Sequence, residues 1–279
     1  MTSTITSAAN QAPLPPPVKP GRPLLQFFFD AFIGVVVMLG ISVAMSLAWG
    51  MFKGFALARQ AVAEGRTPDS AQITAAIGQP SVGTQIWIVL VGGVASAALL
   101  YFWRRRASPA ERQISLAAIA RPSTWGWAVV VAIAVMLWGQ LLTMLGAALG
   151  IKPEPTNQSL MQNALQQMPV FLALFAVVLA PAYEELLFRR VLFGRLWQAG
   201  RPWLGMLLSG LLFAFMHEVP GTSGNSFAAV CLLWLVYGSM GAAFAWLYRR
   251  TGTLAASIFA HGLNNAVALV GLYLAGTAG

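Results

Sequence analysis

Long apolar runs dominate this sequence. A helix needs about 20 apolar residues to cross the ~30 Å hydrocarbon core of a bilayer, and most of the runs approach or exceed that length. Charged residues make up only 9% of the chain, against about 25% in soluble domains, so much of the apolar surface has to face lipid. The sequence therefore predicts an all-α, polytopic transmembrane helical bundle of about seven spans: Leu24–Gly50, Ile86–Trp103, Trp125–Leu149, Val170–Trp197, Trp203–His217, Phe227–Tyr248 and Leu254–Ala275.

The basic residues predict the orientation of these spans. With the N-terminus inside, only Lys53, Arg59, Arg66 and Lys152 fall on the outer side, and this bias favours a cytoplasmic N-terminus. Because the basic residues are scattered between apolar runs, no nucleic-acid partner is expected. An Arg-rich, Lys-poor chain without retention signals favours a multi-pass protein of a bacterial inner membrane. The inner residues are Lys19, Arg22, Arg104, Arg105, Arg106, Arg112, Arg121, Arg189, Arg190, Arg195, Arg201, Arg249 and Arg250.

Two segments outside the spans have a distinct composition. Residues 1–23 are rich in Ser, Thr, Ala and Pro and contain no apolar run, which predicts a flexible cytoplasmic tail. The first outer loop contains "FALARQAVAEG", which is compatible with a short interfacial helix. Neither segment carries a recognisable catalytic motif.

Two adjacent glutamates and both histidines lie inside apolar runs. The chain has only eight acidic residues and two histidines, yet Glu184, Glu185, His217 and His261 all fall there. A charged side chain at the bilayer centre costs ~2.5–3.5 kcal/mol on insertion scales, so such residues are seldom incidental. Glu184 lies about 16 Å from Arg195 at 1.5 Å of rise per residue. The sequence therefore predicts an intramembrane polar cavity.

Helical spacing separates the two glutamates. Glu185 and Arg189 stand four residues apart, the order that suits an ion pair on one helix face, and a partner lowers the cost of burying each charge. Glu184 is turned by about 100° from Glu185 and is free to face another group. Pro181, close to both, is expected to kink or break the helix.

Three motifs carry these residues. They are "EELLFR" (Glu184, Glu185, Arg189), "FAFMH" (Phe213, His217) and "HGLNN" (His261, Asn265). In this order they resemble the three motifs of the CPBP intramembrane protease family, which includes the type II CAAX prenyl endopeptidases and bacterial proteins linked to bacteriocin processing or self-immunity. The similar region covers about residues 165–275, so residues 24–169 are interpreted as N-terminal transmembrane helices and residues 170–279 as a CPBP-like catalytic helical core.

The resemblance implies an intramembrane peptide hydrolase. Its substrate would be a peptide or lipidated protein in the membrane, and no cofactor is expected. Zinc is possible but disfavoured, because the sequence has no HExxH motif and a metal would consume the proposed base and donors. The resemblance implies catalytic roles for Glu184 (general base) and His217 (water binding), oxyanion or substrate contacts for His261 and Asn265, and structural support from Glu185, Arg189 and Phe213.

Other interpretations stay open from the sequence alone. The same ionisable residues suit a transporter or proton relay, and a non-catalytic immunity or scaffold protein would keep the same fold. At residue level, Glu184 is also compatible with a carboxylate that snorkels to the interface. His217 is compatible with a ring that hydrogen-bonds a nearby carbonyl, and Asn264 with the functional amide in place of Asn265.

Overall fold

The described part of the chain folds almost entirely into helices. A computed structural model describes residues 21–277. Residues 1–20 of the predicted N-terminal tail lie outside the described residues. The helices are α1 (Pro23–Ala63), α2 (Ser70–Ile77), α3 (Val82–Arg104), α4 (Pro109–Ile119), α5 (Pro122–Ala148), α6 (Gln158–Gln167), α7 (Pro169–Gln198), α8 (Pro202–His217), α9 (Phe227–Thr251) and α10 (Leu254–Thr277).

Six of these helices are long and apolar enough to cross a membrane: α1, α3, α5, α7, α9 and α10. The remaining predicted span, Trp203–His217, corresponds to α8, which has 16 residues and rises only about 24 Å. The predicted all-α, polytopic bundle is therefore confirmed, with six full-length candidate spans and one short apolar helix. His217 is the last residue of this helix, which is shorter than the bilayer core.

The first helix is longer than its apolar run. The sequence predicts a span that ends near Gly50 and a separate short helix after it, but α1 is continuous for 41 residues, or about 62 Å. Gly54 does not interrupt it, because Ile73 and Ile77 of α2 pack against that position. The expectation of a separate interfacial helix is therefore wrong.

Helix α7 runs through Pro181 without breaking. Its backbone widens on both sides of the two glutamates into π-helical stretches, Phe175–Leu179 and Leu186–Phe193. π-Bulges often occur at functional sites. Of the kink or break expected at Pro181, the break is absent, and the disturbance takes the form of wide turns that bracket Glu184 and Glu185.

Small residues let the helices that carry the site approach each other closely. A Cβ on Gly210 of α8 would lie 2.5 Å from the carbonyl oxygen of Gly238 of α9, and one on Gly241 would lie 2.9 Å from the Gly210 Cα. Between α1 and α3, the Ser96 hydroxyl donates to the Gly34 carbonyl at 2.9 Å. Such contacts are typical of membrane helices, where packing and hydrogen bonds replace the hydrophobic driving force.

Two polar clusters mark opposite ends of the bundle. At one end, Asp30 of α1 accepts from Arg104 and Arg195, and Glu111 of α4 pairs with Arg190. At the other end, residues that follow α5 and α8 meet around a buried glutamate, described below. Chain segments thus alternate between the two ends, as the predicted topology requires.

Candidate active site

Three side chains from three helices converge on one point. Glu184 lies on α7, His217 ends α8 and His261 lies on α10. The Oε2 atom of Glu184 is 3.9 Å from Nε2 of His217 and 3.8 Å from Nε2 of His261. These separations exceed a direct hydrogen bond, and this buried oxygen has no hydrogen-bond partner among the described residues. The structure thus brings together the three ionisable groups that the sequence singled out.

Each imidazole is held through Nδ1, the nitrogen that does not face Glu184. Nδ1 of His217 lies 2.8 Å from the carbonyl oxygen of Phe213, and Nδ1 of His261 lies 3.0 Å from Oε1 of Glu185. Because a carbonyl or carboxylate oxygen accepts, Nδ1 is the donor in both rings. In the neutral form of each ring, Nε2 then presents a lone pair towards Glu184.

The predicted pair of Glu185 and Arg189 is present. Arg189 Nε lies 3.0 Å from Glu185 Oε2, and both side chains are fully buried. The guanidinium carbon also lies over three aromatic rings, at 4.8 Å from Phe213, 5.6 Å from Phe244 and 5.8 Å from Phe188. Cation–π contacts of this kind stabilise a desolvated guanidinium. Arg189 is thus fixed by one carboxylate and by rings from three helices.

Phe213 packs between the groups of the site. Its ring is fully buried and its centroid lies 4.2 Å from that of His217 and 5.8 Å from that of His261. It also supplies the nearest ring to Arg189. Phe213 therefore contacts both histidines and the ion pair, in line with the supporting position expected for it.

The asparagines of the third motif point in different directions. Nδ2 of Asn265 donates to the carbonyl oxygen of Ala176 on α7 at 2.9 Å. Nδ2 of Asn264 makes only a 3.5 Å contact with the Met240 sulfur. One amide hydrogen of Asn265, an expected oxyanion donor, is therefore committed to the protein itself.

Tyr237 is a residue that the sequence reasoning missed. Its ring lies against His217, with centroids 4.8 Å apart and planes at 33°. The ring packs on His217 as Phe213 also does, so His217 contacts two aromatic residues from two helices. A tyrosine in an apolar run gives no spacing signal that would have identified this contact.

Glu218 fixes the end of the helix that carries His217. Its buried carboxylate accepts from the backbone and hydroxyl of Thr156, from Ser223 and from Asn225. Burial raises the pKa of this carboxyl, but these hydrogen bonds outweigh that effect and the net pKa is lowered. Glu218 thereby ties the α5–α6 and α8–α9 loops to the residue next to His217.

The opposite cluster contains a second carboxylate that the sequence reasoning missed. The Glu111 carboxylate accepts from both terminal nitrogens of Arg190, at 2.7 and 2.8 Å. Burial raises the pKa of Glu111, but the hydrogen bonds from Arg190 prevail and lower the pKa to about 2. The other carboxylate of this cluster, Asp30, could have been recognised from the sequence, since it is the one acidic residue in the first apolar run.

The donor set does not fit a metal. Catalytic zinc is held by three protein donors at about 2.0–2.2 Å, and no group of three or more His, Cys, Asp or Glu side chains within residues 21–277 is arranged to hold a metal ion. No step of the chemistry below is therefore routed through a metal.

These features define a class of protein: a polytopic helical membrane protein with a buried carboxylate–imidazole cluster between its helices. Residues 166–267, which contain all three motifs, match the family model described as Type II CAAX prenyl endopeptidase Rce1-like. The resemblance to the CPBP family is therefore confirmed over this segment, which is less than half of the chain.

A curated relative points the same way. The chain is 29% identical over 121 residues to the "Putative membrane peptidase YdiL" of Bacillus subtilis (strain 168), a match that covers 43% of this chain and 45% of the relative. The chain thus spans less than half the length of the curated relative that it matches. No solved structure matches the chain significantly.

Proposed function

We propose that this protein is an intramembrane endopeptidase that hydrolyses a peptide bond in a membrane-embedded or lipidated peptide. One observation carries the proposal: both imidazole Nε2 atoms face the same unpartnered oxygen of Glu184, at 3.9 and 3.8 Å. A water molecule between these atoms would be within hydrogen-bond distance of a carboxylate and an imidazole. Such groups share protons readily near neutral pH.

In the proposed mechanism, Glu184 is the general base. The water donates one hydrogen to Glu184 and the other to Nε2 of His217. Glu184 takes its proton as the water oxygen attacks the scissile carbonyl carbon, which forms a tetrahedral oxyanion. The C–N bond then breaks, and the proton is returned to the leaving amine. General acid–base catalysis of this kind contributes about 10²–10⁴-fold to the rate.

His261 is proposed to stabilise the oxyanion. Because Nδ1 already donates to Glu185, the ring has to carry a hydrogen on both nitrogens in order to donate through Nε2 as well. A preorganised donor at an oxyanion contributes about 2.7–4 kcal/mol. Asn265, the second expected donor, has one amide hydrogen engaged by Ala176, so only its other hydrogen is available to substrate.

A single cluster supports hydrolysis better than proton transport. A relay needs titratable groups at intervals along a path, whereas Glu184, His217 and His261 meet at one oxygen. Their exposure also suits a substrate: Glu184 is 15% and His217 22% exposed, while His261 is 2% exposed. Glu184 and His217 are therefore accessible to a substrate, whereas His261 is buried.

The proposed location is a bacterial inner membrane with the N-terminus in the cytoplasm. Six candidate spans and the relative's name support a membrane peptidase in general terms. The basic residues between spans support the orientation. The proposed partners are the lipid bilayer and a membrane peptide.

Cleavage of a defined peptide tests the proposal. The probes are an internally quenched, farnesylated peptide with a C-terminal CAAX sequence and the same peptide without the lipid, each added to protein in lipid vesicles. Wild-type protein and the exposed-carboxylate control Glu64→Gln should cleave one of the probes, and Glu184→Gln should not. Equal cleavage by Glu184→Gln would contradict the proposal.

A further inference from the structure

We propose that Asn265 is a positioning residue of this site, whose side-chain amide replaces the backbone donor that Pro181 lacks and so fixes the wide turn that leads into Glu184. The kinetic part of this inference rests on the proposed hydrolase function. Its structural part, that α10 holds the wide turn of α7, does not depend on that function.

The hydrogen-bond register of α7 leaves one carbonyl without a backbone donor. In an α-helix the Ala176 carbonyl would accept from the N–H of Ala180. Here Ala180 donates one residue further back, to Phe175. In that wider register the next donor for Ala176 would be residue 181, and Pro181 has no N–H. Neither register therefore supplies a main-chain partner.

Asn265 supplies the missing donor from another helix. Its Nδ2 lies 2.9 Å from the Ala176 oxygen, and buried carbonyl groups in folded proteins are nearly always paired. Gly262, three residues earlier on α10, makes this approach possible: a Cβ there would lie 2.4 Å from the carbonyl oxygen of Val177. Helix α10 thus contacts the wide turn at two successive carbonyls.

This contact sets the relative position of two reacting groups. Asn265 lies one helical turn from His261 on α10, and Ala176 lies about two turns from Glu184 on α7. The bond between Asn265 and Ala176 therefore spans the two helices whose side chains meet at 3.8 Å. A shift of about 1 Å at a catalytic group can cost about 10²-fold in rate, so the loss of this bond should lower kcat.

A direct oxyanion contact by Asn265 would also lower kcat when it is lost, and the substitution Pro181→Ala separates the two roles. Alanine restores an N–H at position 181, which can donate to Ala176 in place of the asparagine. A backbone N–H at position 181 on α7 cannot replace a side-chain amide on α10 that contacts substrate. Asn265→Ala is therefore compared in the wild-type and Pro181→Ala backgrounds.

Two readouts are taken in lipid vesicles. The first is kcat and KM for the quenched peptide that wild-type protein cleaves. The second is the rate at which dicyclohexylcarbodiimide modifies Glu184, measured by mass spectrometry, which needs no activity. We expect Asn265→Ala to lower kcat by about 10²-fold with little change in KM, and to shift the labelling rate. Both effects should disappear in the Pro181→Ala background.

The matched control is Asn264→Ala, whose effect should be the same in both backgrounds. If Asn265→Ala does not fold, folded yield becomes the readout, and Pro181→Ala should restore it; Asn265→Leu repeats the comparison with a side chain of similar volume. Equal losses in the two backgrounds, in labelling as well as cleavage, would overturn the positioning role. Absence of any cleavage by wild-type protein would instead count against the hydrolase, while the labelling comparison would still decide the role of Asn265.

Discussion

Glu185 holds His261 through a 3.0 Å contact between Oε1 and Nδ1, although the two residues are 76 positions apart. Its neighbour Glu184 faces the opposite nitrogen of the same ring. The adjacent glutamates therefore differ in their contacts: Glu185 contacts the imidazole and pairs with Arg189, whereas Glu184 keeps one oxygen without a hydrogen-bond partner among the described residues. This division explains why two scarce carboxylates lie side by side in an apolar helix.

Substitution of the base or of the water-binding ring should abolish cleavage without unfolding the protein. Glu184→Gln removes the proton acceptor and His217→Ala removes its partner, so each should lower kcat by about 10²–10⁴-fold. Neither forms a structural ion pair, so thermal unfolding in detergent should change little. Rate measurements and unfolding curves on the same preparations check both parts, and a variant that unfolds at the wild-type temperature yet retains full kcat would refute its assignment.

Loss of Arg189 should destabilise the protein strongly. Arg189→Ala leaves Glu185 buried without its cation and removes the ring contacts to Phe213, and breaking a buried pair costs about 3–5 kcal/mol. Denaturant unfolding in detergent micelles measures this loss. The control is Arg66→Ala, which breaks an exposed pair with Glu64, a type of pair that contributes little to stability. Similar losses of unfolding free energy in both variants would contradict a stabilising role for the buried pair of Glu185 and Arg189.

Metal removal should leave activity intact. Because the chemistry is assigned to Glu184, His217 and His261 alone, cleavage after dialysis against a strong chelator should equal that of untreated protein. Addition of zinc should give no increase, and at high concentration should inhibit by binding the imidazoles. Loss of cleavage on chelation, followed by recovery with zinc, would exclude the metal-free mechanism.

The Glu111–Arg190 pair should give a pH-dependent contribution to stability. The pKa of Glu111 is lowered from 4.5 to about 2 in the folded protein, so the folded state favours the ionised carboxylate. Its stabilisation is complete above about pH 4.5 and is lost as the pH falls towards 2. Glu111→Gln should therefore lower the free energy of unfolding more at pH 7 than at pH 3. A difference that does not depend on pH would contradict this pairing.

Local sequence patterns were sufficient for the helices and for part of the site. Hydropathy gave the six long helices, because lipid-facing helices are apolar along their whole length. The four-residue spacing gave the pair of Glu185 and Arg189. The rarity of ionisable residues identified Glu184, His217 and His261, since burial of such groups is costly.

Contacts between distant segments were not predictable from those patterns. The partner of Asn265 depends on the wide turn at Phe175–Leu179, and a proline predicts a disturbed helix without giving its register. The donors around Glu218 come from two separate loops. The ring of Tyr237 lies against His217 across the interface of α8 and α9, which glycines bring close together. Each of these depends on tertiary packing, which a single sequence does not encode locally.

Isotope-traced analysis of membrane peptides tests the central claim most directly. Cells that produce either wild-type protein or Glu184→Gln are grown, and their membranes are incubated in water enriched in ¹⁸O and analysed by mass spectrometry. Water activated at Glu184 should appear as ¹⁸O in new peptide carboxyl termini that are present with wild-type protein and absent with Glu184→Gln. Identical sets of labelled peptides from the two membranes would contradict the account.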